Sequence, residues 1–481
     1  MGDNIFLTGN WLPVREERTV TGLAVTGEIP GFLDGRYLRN GPNPAEEIDP
    51  DTYHLFMGDG MVHGVRVRDG KAEWYRNRWV RSQAMAMLLG EQYHGKPTRA
   101  PLPNFGANTN VIGHAGRILA VVESGAASFE MSGDLDTVGA CDFDGTLQGG
   151  FTAHPKRDPE TGELHAVSYY FGWGNKVRYQ VIDTAGRVRR TVDIPVTGSP
   201  MMHDFSLTRS RVVLYDLPVT FDVRQAVEGT VPRLLRAPAR LVLSMMIGRV
   251  RIPAPPVPAG SRRGTNDRLP YRWNPRYPAR IGVMPREGGA AAVRWFEIEP
   301  CYVFHPLNAY DADDGTIVLD VVRYDKVFDQ DLRGPAEGDP ALFRWTVDPA
   351  SGKVRQEQLD DRMQEFPRVD ERVVGRRHRY GYTVLQYVEE PDALLKHDLD
   401  RGTTEVRSFG AGREPGEFVF VPRTADAAED DGVLMGFVYD AATDRSDLML
   451  LDAATLEDVA AIHLPTRVPN GFHGNWIPDA R

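Results

Sequence analysis

Residues 448–464 read LMLLDAATLEDVAAIHL and contain the pattern that decides the fold. An apolar strand at Leu448–Asp452 ends in an aspartate-centred turn, and a second strand follows at Val459–Leu464. Looser copies of this strand, turn and strand lie at residues 179–192, 343–355 and 395–407. Repeated pairs of outer strands are typical of radial β-sheet architectures, and helical periodicity is scarce elsewhere in the chain. The sequence therefore predicts an all-β protein and favours a β-propeller.

The composition describes an ordinary globular chain of 481 residues, of which 41% are hydrophobic and 26% charged. The net charge of -11 argues against a nucleic-acid partner. Two cysteines, Cys141 and Cys301, are too few for a disulfide framework. No signal peptide and no apolar run of about 18 residues is present, so we expect a cytoplasmic protein. A closed propeller over residues 1–481 would form a single domain.

Four histidines stand in unusual local phrases: His154 in TAHP, His203 in MMHDF, His305 in FHPLN and His473 in GFHGNW. His473 lies eight residues from the C-terminus, where chains are usually free to vary. Successive spacings of 49, 102 and 168 positions do not suit a zinc finger, whose ligands are clustered. They do suit a propeller, because its innermost strands bring distant residues to one axis. Four imidazoles there would fit iron, copper, nickel or zinc.

Three glutamates interrupt apolar or turn-forming contexts, namely Glu123, Glu365 and Glu417. A buried carboxylate needs a partner, and a metal-bound histidine N–H would supply one. Ion pairs with Arg368 or Arg423 are the alternative. Asp204 and Asn308 are further candidates for orienting imidazoles or loops.

The remaining histidines are expected to have no part in such a site. We predict solvated positions for His94, His165, His378 and His397, which stand beside charges or turns. We predict structural roles for His54, His63, His114 and His463.

One segment departs from the strand pattern. Residues 231–258 are apolar, contain interspersed arginines and lack acidic residues. A second apolar piece, Ala84–Leu89, follows the basic stretch Arg76–Arg81. We interpret the first segment as an interfacial element that contacts a bilayer, with arginines meeting lipid head groups. A helical cap over the propeller or a contact with a partner is the alternative.

Ordered motifs along nearly the whole chain resemble the carotenoid cleavage oxygenase family, which also includes the lignostilbene dioxygenases and the retinoid isomerase. The motifs are GRYLRNGPNP at 35–44, GDGMVH at 58–63, NTNVI at 108–112, TAHP at 152–155, HDF at 203–205, RIGVMPR at 280–286, EFVFVPR at 417–423 and GFHGNW at 471–476.

The resemblance implies a seven-bladed propeller with a helical dome over an apolar substrate tunnel. It implies one ferrous iron per chain, held by His154, His203, His305 and His473. It further implies that Glu123, Glu365 and Glu417 hold the N–H groups of those ligands. The implied reaction is cleavage of one C=C bond by O2 into two carbonyl products, with no catalytic residue beyond the metal centre and no obligatory protein partner.

The branch of the family depends on Val122. Lignostilbene-cleaving members generally have a lysine at this position, which engages a phenolic hydroxyl, and valine cannot do so. We therefore favour a carotenoid or apocarotenoid substrate drawn from a membrane, with stilbene cleavage and a retinoid-isomerase-like activity as alternatives.

A metal-dependent propeller hydrolase would need carboxylate ligands for calcium. The acidic run Asp311–Gly315 reads better as a hairpin turn than as such a site, and a non-catalytic interaction propeller is the last alternative.

Overall fold

A computed structural model of the protein describes residues 4–96, 98–250 and 268–479. The strands in these ranges are β1 Arg18–Thr21, β2 Ala24–Gly27, β3 Gly35–Pro42, β4 Gly60–Arg68, β5 Lys71–Trp79, β6 Asn110–His114, β7 Arg117–Val121, β8 Ser128–Met131, β9 Thr137–Cys141, β10 Lys156–Arg157, β11 Leu164–Tyr169, β12 Lys176–Ile182, β13 Val188–Pro195, β14 Phe205–Leu207, β15 Arg211–Asp216, β16 Val219–Phe221, β17 Tyr271–Trp273, β18 Arg280–Pro285, β19 Arg294–Glu297, β20 Tyr302–Asp311, β21 Ile317–Tyr324, β22 Ala341–Asp348, β23 Lys353–Asp360, β24 Gln364–Arg368, β25 Tyr380–Leu385, β26 Ala393–Asp398, β27 Thr403–Ser408, β28 Arg413–Pro415, β29 Val419–Pro422, β30 Gly432–Asp440, β31 Arg445–Asp452, β32 Asp458–His463 and β33 Gly474–Pro478.

Helices are few and short. The α-helices are α1 Gln83–Leu88, α2 Val223–Thr230 and α3 Arg236–Met246. Single 3₁₀ turns occur at Ile5–Leu7, Gly9–Trp11, Leu55–Met57, Phe171–Trp173, Arg233–Leu235, Ala290–Ala292 and Glu371–Val373. In the described ranges, no helix is both long enough and apolar enough to span a bilayer.

Seven antiparallel sheets form the blades of a β-propeller, which confirms the predicted fold. The blades are blade 1 (β1, β5, β4, β3, β33), blade 2 (β6–β9), blade 3 (β10–β13), blade 4 (β14, β15, β18, β19), blade 5 (β20–β23), blade 6 (β24–β27) and blade 7 (β2, β32, β31, β30, with β28 and β29). The strands nearest the central axis are β33, β6, β10, β14, β20, β24 and β29. The repeated pattern read from the sequence corresponds to the strand pairs β12–β13, β22–β23, β26–β27 and β31–β32.

Hairpin turns between the strands follow from local sequence. The turn between β20 and β21 contains Asp313 and Asp314 and ends at Gly315, whose φ is +85°. Glycine adopts this left-handed conformation without the steric penalty that a Cβ brings. The acidic run that ends there is therefore a hairpin turn, as the sequence predicts.

A strand from each end of the described chain completes a blade whose other strands come from the opposite end of the sequence. Strand β2 pairs with β32 in blade 7, and β33 pairs with β3 in blade 1. Beyond β33, the carboxylate of Asp479 accepts hydrogen bonds from Arg36 and Arg66. Because these contacts hold the C-terminal segment, His473 is anchored just before a paired inner strand.

The described part of the segment that follows β16 leaves the propeller and forms the predicted dome. It contains α2, the 3₁₀ turn at Arg233–Leu235 and α3. The side chain of Asp222 caps α2 by accepting hydrogen bonds from two backbone N–H groups. Residues 251–258, the end of the apolar segment predicted from sequence, lie outside the described residues.

Candidate metal centre

The four predicted histidines meet at the propeller axis. His154, His203 and His473 each stand one or two residues before an inner strand, β10, β14 and β33 respectively. His305 lies within β20, where the pairing register with β21 shifts on either side of Pro306. Such irregularities change the direction of a side chain, so that it no longer follows the regular alternation of strand residues between the two faces of the sheet. The histidine side chains thereby reach the axis from four different blades.

The imidazole rings lie close enough to share one ion. Ring centroids are 4.4 Å apart for His154 and His203, 4.6 Å for His154 and His473, and 4.7 Å for His305 and His473. The Nε2 atoms of His203 and His305 are 3.2 Å apart. Ligand nitrogens of His154, His305 and His473 lie within 4.8 Å of one another. All four side chains are at least 88% buried.

Each of the three predicted glutamates accepts a hydrogen bond from one of these rings. The distances are 2.9 Å from His203 Nδ1 to Glu123 Oε1, 2.7 Å from His305 Nδ1 to Glu365 Oε2, and 2.9 Å from His473 Nδ1 to Glu417 Oε1. A carboxylate can only accept, so each Nδ1 carries the proton. The lone pair of each Nε2 is then available at the axis, which is the arrangement that metal-bound histidines require.

His154 differs from the other three histidines. Its Nδ1 lies 3.8 Å from Asp204 Oδ2, and Asp204 is bound by Lys156 at 2.8 Å. Its Nε2 is buried and has no hydrogen-bond partner among the residues that the structure describes. Burial, and then the neighbouring imidazoles, hold the pKa of His154 well below its usual value. His154 therefore presents a neutral imidazole.

Arg368 adds a positive charge beside Glu417. Its Nη1 lies 3.5 Å from Glu417 Oε1, and the backbone N–H of Gly474 donates to Glu417 Oε2 at 2.8 Å. Burial alone would raise the pKa of Glu417, but Arg368, His473 and this N–H lower it to about 2. The predicted alternative of an ion pair with Arg368 thus coexists with the hydrogen bond to His473. Arg423 instead pairs with Asp431.

The chemistry of this donor set fits a transition-metal ion. With the Nδ1 protons held by glutamates, Nε2 lone pairs of His203 and His305 face each other at 3.2 Å. Facing lone pairs repel unless a cation or a proton lies between them. Neutral nitrogen donors suit iron, copper, nickel and zinc rather than calcium or magnesium. The centre could therefore hold one such ion.

An apolar cavity of about 570 Å³ opens on the dome side of the histidines. His203, His305 and His473 reach its floor, and α2 and α3 form part of its roof. Aromatic side chains dominate its wall, including Phe56, Phe171, Phe221, Phe304, Phe366 and Phe472. This upper cavity can hold an elongated apolar molecule against the centre and exclude water from it.

Some expectations for the surrounding residues were wrong. His165, His378 and His397 are buried, at 2–4% exposure, rather than solvated. Each has a polar partner at one ring nitrogen at least; His165 Nδ1, for example, lies 2.7 Å from the Tyr179 hydroxyl, while His165 Nε2 is buried with no hydrogen-bond partner among the described residues. By contrast, Asn308 orients a loop, which is one of the two roles predicted for it: its side-chain amide donates to the backbone carbonyls of Val373 and Arg376.

Other predictions for the histidines agree with the structure. His94 is exposed. His54 caps the 3₁₀ turn Leu55–Met57, and His63 hydrogen-bonds the Tyr75 hydroxyl at 3.0 Å.

Sequence reasoning missed three groups around the centre. Tyr324 donates to Glu365 Oε1 at 3.0 Å, Tyr169 lies beside Glu123, and Lys156 binds Asp204. Only Lys156 had a local signal, because it stands two residues after His154. The two tyrosines come from outside the motifs.

Comparisons with known proteins agree with this geometry. Residues 11–478 match the family model described as retinal pigment epithelial membrane protein. The chain is 57% identical to the carotenoid cleavage oxygenase of Mycobacterium tuberculosis, covering 99% of this chain and 98% of that protein. It is 32% identical to the carotenoid 9,10(9',10')-cleavage dioxygenase 1 of Pisum sativum, covering 98% and 90% respectively.

The fold is also similar to that of a solved enzyme. The crystal structure of the Pseudomonas brassicacearum lignostilbene dioxygenase superposes with a TM-score of 0.81, at 28% identity and over 98% of each chain. Together with the axial histidines, these matches show that the chain belongs to the carotenoid cleavage oxygenase family and is an oxygenase.

Proposed function

We propose that the protein is an iron(II) dioxygenase that cleaves one C=C bond of a carotenoid or apocarotenoid into two carbonyl products, with O2 as co-substrate. The observation that carries this proposal is the convergence of His154, His203, His305 and His473 beneath an apolar cavity. One ferrous ion bound by the four Nε2 atoms would supply the activation of O2.

The protein's own groups prepare this reaction in two ways. Glu123, Glu365 and Glu417 fix the ring orientations and the tautomers of three ligands, and they raise the basicity of those ligands. The aromatic wall of the upper cavity holds the polyene beside the centre and keeps water away. The proposed reaction needs no acid–base residue, and the glutamates at the cavity floor are already engaged by the histidines.

Val122 supports a polyene substrate. Its side chain is 3% exposed, lines the upper cavity and precedes Glu123. A valine cannot ionise a phenol or bind its oxygen, so this part of the wall selects for hydrocarbon.

The second candidate substrate is a stilbene. It is favoured by Ser124 and Tyr271, which place two hydroxyl groups in the same wall.

Iron-loaded protein incubated under ¹⁸O2 with apocarotenoids and with resveratrol tests the substrate. We expect labelled aldehyde or ketone fragments from apocarotenoids, detected by mass spectrometry, and little or no cleavage of resveratrol. Cleavage of resveratrol alone would favour the stilbene candidate. A retinoid that isomerises without acquiring label would instead indicate a retinoid-isomerase-like activity.

We further propose that the protein is cytoplasmic and contacts a membrane peripherally through the dome. Leu234 is 94% exposed, Leu241 64% and Val242 51%, which places several large apolar side chains in water on one short segment. Exposed apolar clusters of this kind mark interaction sites. Because α3 also lines the upper cavity, a bilayer in contact with it could deliver an apolar substrate directly.

The double variant Leu234→Glu/Leu241→Glu should weaken binding to phospholipid vesicles by at least about tenfold, because a leucine buried in an apolar phase contributes about 1.5–3 kcal/mol. Co-sedimentation with vesicles measures this. Val406→Glu on the outer strand β27 is a matched control, since Val406 is 51% exposed but lies away from the dome. Equal vesicle binding by the unmodified protein, the double variant and Val406→Glu would refute the membrane contact.

A further inference from the structure

A second cavity of about 910 Å³, the lower cavity, lies on the opposite side of the histidines along the propeller axis. His305 and His473 line both cavities, whereas His154 lines only the lower one. The lower cavity extends to Val138, which is 58% exposed, and therefore reaches solvent. The four rings thus separate two compartments that approach the same centre.

The walls of the two compartments differ in chemistry. The lower cavity is lined by paired charges: Lys156 with Asp204 at 2.8 Å, Arg372 with Asp370 at 2.6 Å, and Arg368 with Glu417 at 3.5 Å. The upper cavity is walled mainly by aromatic and aliphatic side chains.

Transfer of a divalent ion from water into the upper cavity has a high free-energy cost. Moving even a single charge from water to an apolar medium costs on the order of 20 kcal/mol in the idealised limit, and a double charge costs more. Carboxylate and carbonyl oxygens lower this cost, because they replace the water molecules around the ion. Among the described residues, those of the lower cavity offer such oxygens on the way to the histidines.

We propose that the metal ion reaches and leaves the centre through the lower cavity, while the apolar substrate uses the upper one. The inference rests on the proposed function, because it requires a metal at the four histidines. Asp204 also lines the lower cavity, and its Oδ2 lies 3.8 Å from Nδ1 of His154, the one of the four histidines that lines this cavity alone. Loading and substrate binding then use separate routes, so a bound polyene does not trap or expel the metal.

Thiol labelling at the two mouths tests this separation. Glu371→Cys places a thiol at the wall of the lower cavity just after β24, the inner strand of blade 6, and Val242→Cys places one at the upper cavity. The native Cys141 and Cys301 are buried, so a bulky maleimide should modify the new thiols. Co²⁺ uptake by the metal-free protein, and its removal by a chelator, are followed by visible absorbance.

Labelling Glu371→Cys should slow both Co²⁺ uptake and removal by at least about tenfold relative to the unlabelled variant, because the obstruction adds a barrier to the route. Labelled Val242→Cys should exchange Co²⁺ at its unlabelled rate but show a raised KM for the polyene. Unchanged rates after labelling the lower mouth, or slowed exchange after labelling Val242→Cys, would overturn the proposed route while leaving the metal centre intact. Failure of the unlabelled protein to bind Co²⁺ or iron would overturn the proposed function and the route together.

Discussion

Replacing His473 with alanine should give a folded protein that has lost its metal and its oxygenase activity. The substitution removes one of four converging nitrogen donors and leaves Glu417 without its imidazole partner. Groups that only orient metal-bound histidines already contribute about 10–100-fold in affinity, so loss of a ligand should cost more than about 100-fold. Metal content after desalting and the binding isotherm for Co²⁺ measure the effect.

The fold should survive this change because the main chain of His473 makes the local contacts. Its N–H donates to the Thr109 carbonyl, and its own carbonyl accepts from the Asn40 N–H. Truncation before His473 would be a poorer test, since it would also remove β33 and the contacts of Asp479. Circular dichroism should therefore show an intact β-sheet spectrum for the point variant.

His165→Ala is the matched control. His165 is 2% exposed and His473 4%, and each is hydrogen-bonded through Nδ1. His165→Ala should keep its metal and lose about 1–3 kcal/mol of stability, because the Tyr179 hydroxyl loses its partner. Full metal retention by His473→Ala, or equal metal loss in both variants, would refute the assignment of His473 as a ligand.

The propeller could be predicted because its outer strands repeat locally. Each pair has an apolar strand and an Asp- or Gly-containing turn within about 20 residues, so the signal survives in a single sequence. The pairings that close the ring could not be predicted in this way. Strand β2 joins β32 and β33 joins β3 across more than 400 positions, and nothing local specifies either register.

The candidate site could be predicted where a histidine or glutamate stands in an otherwise apolar or turn-forming stretch of sequence. The four histidines and three glutamates satisfy that condition, and the structure brings all seven together. His165 and His397 were misjudged because flanking charges suggested solvent, although both lie on strands, β11 and β26, whose alternate residues face the blade interior. Neither Tyr324 nor the lower cavity could be predicted from the sequence. Tyr324 is an ordinary strand residue, and the cavity is defined only by residues that are distant from one another in the sequence.

Glu417→Gln should be the most damaging of the three glutamine substitutions. The carboxylate of Glu417 accepts from His473 Nδ1 through one oxygen and from the Gly474 backbone N–H through the other. A glutamine side chain has one accepting oxygen, so its NH2 group must face one of these fixed donors. The unsatisfied donor costs about 1–3 kcal/mol, and Arg368 loses one of its two carboxylate partners while keeping Glu371 at 3.2 Å.

We expect Glu417→Gln to lower the affinity for Co²⁺ by about 10–100-fold and to destabilise the protein by about 1–3 kcal/mol in denaturant unfolding. Glu365→Gln is the matched control, because the second oxygen of Glu365 meets the Tyr324 hydroxyl. A hydroxyl can turn to accept from the new NH2 group, which a backbone N–H cannot do. The loss of Co²⁺ affinity in Glu365→Gln should therefore be several-fold smaller, and equal losses in the two variants would show that the backbone donor at Gly474 does not tune the centre.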